Sequence, residues 1–173
     1  MNPYTQLARK SIEYYLKNKK ALSLSSDLPQ ELLNKKAGVF VSLHNKKDDS
    51  LRGCIGTITP MMKNIASEII ANSIAAATAD PRFPPLELSE LPDITISVDV
   101  LEKPEPIASS KSLDPQKYGV IVKCADGRTG LLLPDIEGVN DPNYQVAIAC
   151  QKAGISPTET IYLYRFTVER HKE

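Results

Sequence analysis

"LRGCIGTI", residues 51–58, decides how this chain is read. Its apolar and β-branched residues predict a strand, yet two glycines interrupt it. Glycine has no side chain to pack and loses more backbone entropy on folding than any other residue. Inside a strand it marks a bulge, or a place where a ligand or a neighbouring backbone must come close. Arg52 and Cys54 stand two residues apart, so they project from the same face of a regular strand. A guanidinium near a thiol favours the thiolate, which is the reactive form of cysteine. Two readings of Cys54 follow: a nucleophile beside an anion pocket, or a buried structural cysteine, a common core residue.

The flanking segments extend both readings. Upstream, "GVFVSLH" (38–44) predicts a second strand and "NKKDDS" (45–50) a polar turn, so residues 38–58 form a hairpin. His44 is the one nearby candidate for a general base. If it pairs with Leu51 across the six-residue turn, it shares a face with Gly53 and Ile55, away from Cys54; a register shift of one residue reverses this. Downstream, Thr59 is expected to cap a helix over 61–78 with Pro60 in its first turn. The unpaired N–H groups at that helix start would favour an anion. "DPRFPPL" (80–86) ends the helix, because its prolines cannot continue it. There Asp80 caps or turns the chain, Arg82 is a candidate anion ligand, and Phe83 either walls a pocket or plugs the core.

The remaining elements set the fold class. Ala8, Ile12, Tyr15 and Leu16 recur at helical spacing within 5–20, and "QELLNKK" (30–36) adds a short helical turn. "ITISVDVL" (94–101) alternates, with Ile94, Ile96, Val98 and Val100 facing one way and Thr95, Ser97 and Asp99 the other, as a half-buried antiparallel strand does. "EKPEPIASSKS" reads as a polar connection. "YGVIVKCADGRTGLLLP" (118–134) is a hairpin with Asp126-Gly127 as a type I′ turn. Asp141 and Pro142 start a helix that runs to Lys152, and Gly154 ends it. "IYLYRFTVER" (161–170) is a closing strand with Tyr162, Tyr164, Phe166 and Val168 on one face. His171 falls in a charged tail and is expected to be solvated. Strands and helices do not alternate regularly, so the fold class is α+β with mainly antiparallel pairing.

Composition narrows the function classes. The chain has 173 residues, 42% of them apolar, with 21 basic and 21 acidic residues in balance. A duplex-binding protein normally carries a net basic field, so zero net charge argues against nucleic acid as a partner. Gly53-Cys-Ile-Gly56 matches the GxxG of KH domains, but that loop joins two helices and this one lies in a strand. Three cysteines without a CxxC pair argue against a disulfide framework and for a reducing, cytoplasmic setting. Ile69 to Ala79, a charge-free run in the most apolar segment, is far short of the roughly 20 residues that cross a bilayer. No metal-ligand spacing and no phosphate- or dinucleotide-binding loop is present, so no cofactor is expected.

Eight segments occur in order over nearly the whole chain: "GVFVSLH", "LRGCIGTI", "DPRFPPL", "ISVDVLEKPEPI", "YGVIVK", "GLLLP", "KAGI" and "YRF". Together they resemble the AMMECR-type domain, also called AmmeMemoRadiSam system protein A. The resemblance implies a larger lobe with an antiparallel sheet flanked by helices, over 1–112 and 158–173, and a smaller lobe over 113–157. It also implies association with a Memo-like protein and a radical SAM protein, without an established activity of the domain's own. "LRGCIG" (51–56) is the segment suspected of function in that family. Two hypotheses result. One is an accessory binding module, with a groove lined by Arg52, Gly53, Cys54, Gly56, Asp80, Arg82 and Phe83 that takes a small anionic ligand or a partner. The other is an enzyme with Cys54 as nucleophile on a small anionic or acyl substrate, Arg52 as its activator and helix N–H groups around an oxyanion.

Overall fold

The computed structural model describes residues 2–173. In chain order the elements are α1 (Pro3–Asn18), α2 (Gln30–Asn34), β1 (Val39–Asn45), β2 (Leu51–Gly56), α3 (Ile65–Thr78), β3 (Ile94–Leu101), β4 (Glu105–Ile107), β5 (Gly119–Cys124), β6 (Thr129–Leu132), α4 (Pro142–Lys152), β7 (Ile161–Phe166) and β8 (Val168–Lys172). They build two four-stranded sheets, ordered β2-β1-β3-β8 and β4-β7-β5-β6. The strand pairs β1/β2, β1/β3, β4/β7, β5/β6 and β5/β7 are all antiparallel, so the fold is α+β.

Contacts divide the chain into two units. The first comprises the chain up to Leu101 with Glu169–Glu173, and the second comprises Glu102–Val168. The boundaries therefore differ from the 112/113 and 157/158 expected above. The reason is the closing strand, which is two strands rather than one. Residues 161–166 pair with β5 and β4 in the second sheet, and only β8 joins the first sheet. The polar connection after β3 supplies β4, a three-residue edge strand that alternation is too short to reveal.

In the first unit, alternation places Val39, Val41 and Leu43 of β1 and Ile94, Ile96, Val98 and Val100 of β3 in one core with α1 and α3. The opposite face of β1 carries Phe40, Ser42 and His44. Asp99 on that face is not solvated as expected: it is 3% exposed and held by two bonds from Arg170 at 2.8 Å. Packing of α3 onto β2 explains Gly53, since a Cβ there would stand 2.2 Å from the Ala76 carbonyl oxygen.

The second unit repeats this device. A Cβ at Gly130 of β6 would stand 2.0 Å from the Ala149 carbonyl oxygen of α4. Its core gathers Val120, Val122, Leu132, Ala149 and Ile155. Asp141 caps α4 as expected, accepting from the Tyr144 N–H at 2.8 Å. The β5–β6 turn is not type I′, because Gly127 alone takes a positive φ, 91°. Its N–H donates to the Cys124 carbonyl at 3.1 Å, the closure of a three-residue loop with glycine at the left-handed position.

Candidate functional site around Cys54

Cys54 is half-buried on β2, paired across the strand with Ser42 of β1. The Ser42 hydroxyl donates to Cys54 Sγ at 3.2 Å. The backbone of Cys54 points outward along the edge of the sheet, where side chains of 80–82 take the place of a neighbouring strand. The Cys54 N–H donates to Asp80 Oδ2 at 2.9 Å, and Arg82 Nη2 donates to the Cys54 carbonyl at 3.3 Å. "DPRF" is therefore more than a helix stop: it covers the polar edge of β2.

Asp80 is the anchor of this arrangement. Its side chain is 2% exposed and accepts the Arg82 N–H at 3.1 Å, Arg82 Nε at 3.0 Å and Arg82 Nη2 at 2.7 Å. Hydrogen bonds from the Arg82 side chain, opposed by desolvation and helped by the Cys54 and Arg82 amides, lower its pKa to about 2. Arg82 is thus the anion ligand that the sequence predicts, but the anion it holds is Asp80. The Arg82 side chain stays 54% exposed, and its Nη1 takes part in none of these bonds. The Arg82 guanidinium is raised above its ordinary pKa, first by the bonds to Asp80, against desolvation, and in smaller part by the charge of Asp80 and by Cys54.

Arg52 goes elsewhere. Its Nε and Nη2 donate to Glu90 at 3.0 and 3.2 Å, and its Nη1 donates to the Pro84 carbonyl at 3.0 Å. Arg82 is an electrostatic neighbour of Cys54, while the Arg52 that strand spacing suggests has its hydrogen bonds on Glu90 and Pro84. The two arginines meet at Phe83, which is half-buried with the guanidinium carbons 5.9 Å (Arg52) and 5.5 Å (Arg82) from its ring centroid.

The two glycines are occupied by the chain itself. Gly53 faces the Ala76 carbonyl, and a Cβ on Gly56 would stand 2.2 Å from the Phe40 ring. His44 pairs with Leu51, yet it does not fall on the Gly53 face. The register shifts between Leu43 and His44, with Arg52 as the extra residue of a bulge. That bulge restores His44 to the side of β1 that bears Ser42, one alternation further along the strand.

The expected helix start is also displaced. Asn64, not Thr59, caps α3, accepting the Ser67 N–H at 2.9 Å. The Met61 and Met62 N–H groups donate to Glu68, a fully buried carboxylate that also accepts from the Thr57 hydroxyl at 2.9 Å. These amides are satisfied internally, so they do not form the oxyanion-binding group expected of this helix start. Glu68 was hidden from sequence reasoning because an acidic residue in the first turn of a helix ordinarily faces solvent.

The second unit has its own trough of about 440 Å³ along α4, lined by Val146, Cys150, Ile155 and Ile161 among others. Burial raises the thiol pKa of both Cys150 and Cys124. Among the described residues no helix is long and apolar enough to cross a membrane.

Comparison with known proteins places these features in context. A family model, AMMECR1, matches residues 5–171. A Thermotoga maritima protein is 51% identical over 99% of this chain and 98% of its own length. A Clostridium acetobutylicum protein is 50% identical over 99% of this chain but only 36% of its own length. The crystal structure of an uncharacterized Pyrococcus horikoshii protein, PH0010, is similar with a TM-score of 0.90 and 36% identity, covering 98% of this chain and 89% of that one.

Proposed function

Because the chain belongs to the AMMECR1 family, we propose that it is a binding or accessory component acting with Memo-like and radical SAM proteins. Its working surface is the recess formed by Cys54, Ser42, Arg82 and Phe83. One observation carries this reading: buried Asp80 fixes a half-exposed guanidinium beside Cys54 and over an aromatic ring. A cation held in place loses little freedom on binding, so it suits an anionic group on a small ligand or on a partner segment. Phe83 offers that ligand an apolar wall. Gly53 seats α3 against the opposite face of β2, Gly56 makes room for the Phe40 ring, and Arg52 sets a second guanidinium near Phe83. That a relative contains this domain as about a third of a longer chain fits a component that works alongside another.

The test is titration calorimetry of the purified chain against the Memo-like and radical SAM proteins of the same organism. Arg82→Gln and Phe83→Leu, each first shown to melt cooperatively, are expected to weaken the productive pairing by about tenfold or more, the loss of one desolvated contact. Binding unchanged by both substitutions would remove the recess from the account.

The Ser42–Sγ bond favours a second reading, in which Cys54 is a nucleophile on a small anionic or acyl substrate. Ser42 and Arg82 would stabilise the thiolate, and His44 stands on the same strand face to move a proton. Covalent trapping of Cys54 by an electrophilic acyl probe, abolished by Arg82→Gln, separates this reading from the first.

A further inference from the structure

We propose that Asn2 and His171 form an acid-sensitive latch on the start of α1, in which one side-chain amide serves either the helix cap or a protonated imidazole, never both. The geometry begins with the cap. Asn2 Oδ1 accepts the Tyr4 N–H at 2.9 Å, which fixes the direction of the amide group. Asn2 Nδ2 then lies 3.0 Å from His171 Nδ1. An amide nitrogen only donates, so Nδ1 must present its lone pair, and the neutral ring carries its proton on Nε2.

His171 is not the solvated tail residue expected from its charged surroundings. It is 9% exposed, and its ring stacks on Tyr4 with centroids 3.7 Å apart and planes 8° from parallel. Three elements face it. From β8, Glu169 Oε1 lies 3.3 Å from Nε2, without the alignment of a hydrogen bond. From α1 comes Tyr4. From α2, Glu31 lies within electrostatic reach of His171 and of the Tyr4 phenol, and it pairs with Lys35. Burial, then the charges of Glu31 and Glu169, push the Tyr4 phenol up to about 12. The bond from Lys35 holds Glu31 below the usual carboxylate range. The phenol and the carboxyl thus keep their charge states in mild acid, and the proton to which the latch responds is one taken up by the imidazole.

Protonation places a second N–H on Nδ1, directly against Asn2 Nδ2. Two donors 3.0 Å apart repel. Turning the Asn2 amide by half a rotation gives the imidazolium an acceptor, but it sets Nδ2 against the Tyr4 N–H and the cap is lost. The last strand of the first sheet and the first turn of α1 are thereby coupled through one proton.

The experiment uses the full chain. At pH 8, nitrogen-15 spectra are expected to show His171 as the Nε2–H tautomer. Between pH 8 and pH 5, hydrogen-exchange protection of the Tyr4 amide, corrected for intrinsic rate, falls by about fivefold, as loss of a cap implies. The Ser67 amide, capped by Asn64 away from any imidazole, serves as the internal control and keeps its protection. In Asn2→Asp the carboxylate accepts from both groups, so Tyr4 protection survives acidification. An Nδ1–H tautomer at pH 8, Tyr4 protection indifferent to pH in the unaltered chain, or equal loss in Asn2→Asp would each overturn the latch.

Discussion

Asp80→Ala is expected to destabilise the first unit by about 2–4 kcal/mol, mainly through polar groups left without a partner. The Cys54 and Arg82 N–H groups both lose their acceptor, and the guanidinium of Arg82 loses the carboxylate that orients it. The cost stays below that of a fully buried ion pair, because Arg82 is half-exposed and can turn to water. Asp80→Asn keeps the shape and isolates the charge. The sign of its pH dependence follows from the depressed pKa. Asp80 titrates near 2 in the folded chain against 3.8 for the free side chain, so its stabilisation is present above about pH 4 and fades as pH falls toward 2. A shift of that size corresponds to a contribution on the order of 2 kcal/mol. Urea denaturation of the unaltered chain and of Asp80→Asn at pH 7 should differ by about that amount, and the gap should close as the pH is brought below 3. A gap that persists at low pH would show that the carboxylate charge is not what holds this edge.

Gly53→Ala is expected to cost about 3 kcal/mol, the upper part of the range for overpacking a filled core. The added carbon would stand 2.2 Å from the Ala76 carbonyl oxygen, a backbone atom inside α3 that cannot rotate away. Either β2 or the helix has to move, and α3 supplies six buried residues of the first unit's core while Ile55 of β2 packs against it. Gly56→Ala is the informative contrast. Its Cβ would meet the Phe40 ring at the same 2.2 Å, but a ring on a half-buried side chain can turn. The expected order of urea midpoints is unaltered chain, Gly56→Ala, then Gly53→Ala. A Gly53→Ala chain as stable as its parent would mean that the helix does not sit this close to the strand.

These two residues show where sequence reasoning reached and where it stopped. The strand at 94–101 was legible to the residue, because its alternation is strict and its ends are marked by Pro92 and Pro104. Asp99 was misplaced on solvent, since its partner Arg170 lies 71 positions away and pairing at that range leaves no local mark. The glycines of β2 announced a close approach, but only α3 and the β1 residue Phe40, packed in place, show that a carbonyl and a ring make it. Spacing put Arg52 beside Cys54. The bulge at Arg52 and the acceptors on Glu90 and Pro84 drew it away, and Arg82 arrived from the next loop. The start of α3 slipped from 61 to 65 for a related reason: a buried Glu68 binds the amides that a helix start would have left open. Tertiary partners decided each of these cases, and local propensity could not name them.

Everything proposed for function requires that the sulfur of Cys54 be open to small molecules and influenced by Arg82. Alkylation of the folded chain with iodoacetamide at pH 7, read by peptide mass spectrometry, tests this directly. Cys54 should be modified first, while Cys124 and Cys150, buried and with raised thiol pKa values, stay largely unmodified. Arg82→Gln should slow Cys54 by about three- to tenfold, as loss of a neighbouring positive charge implies. A Cys54 that reacts no faster than the other two, or only after denaturation, would contradict the account.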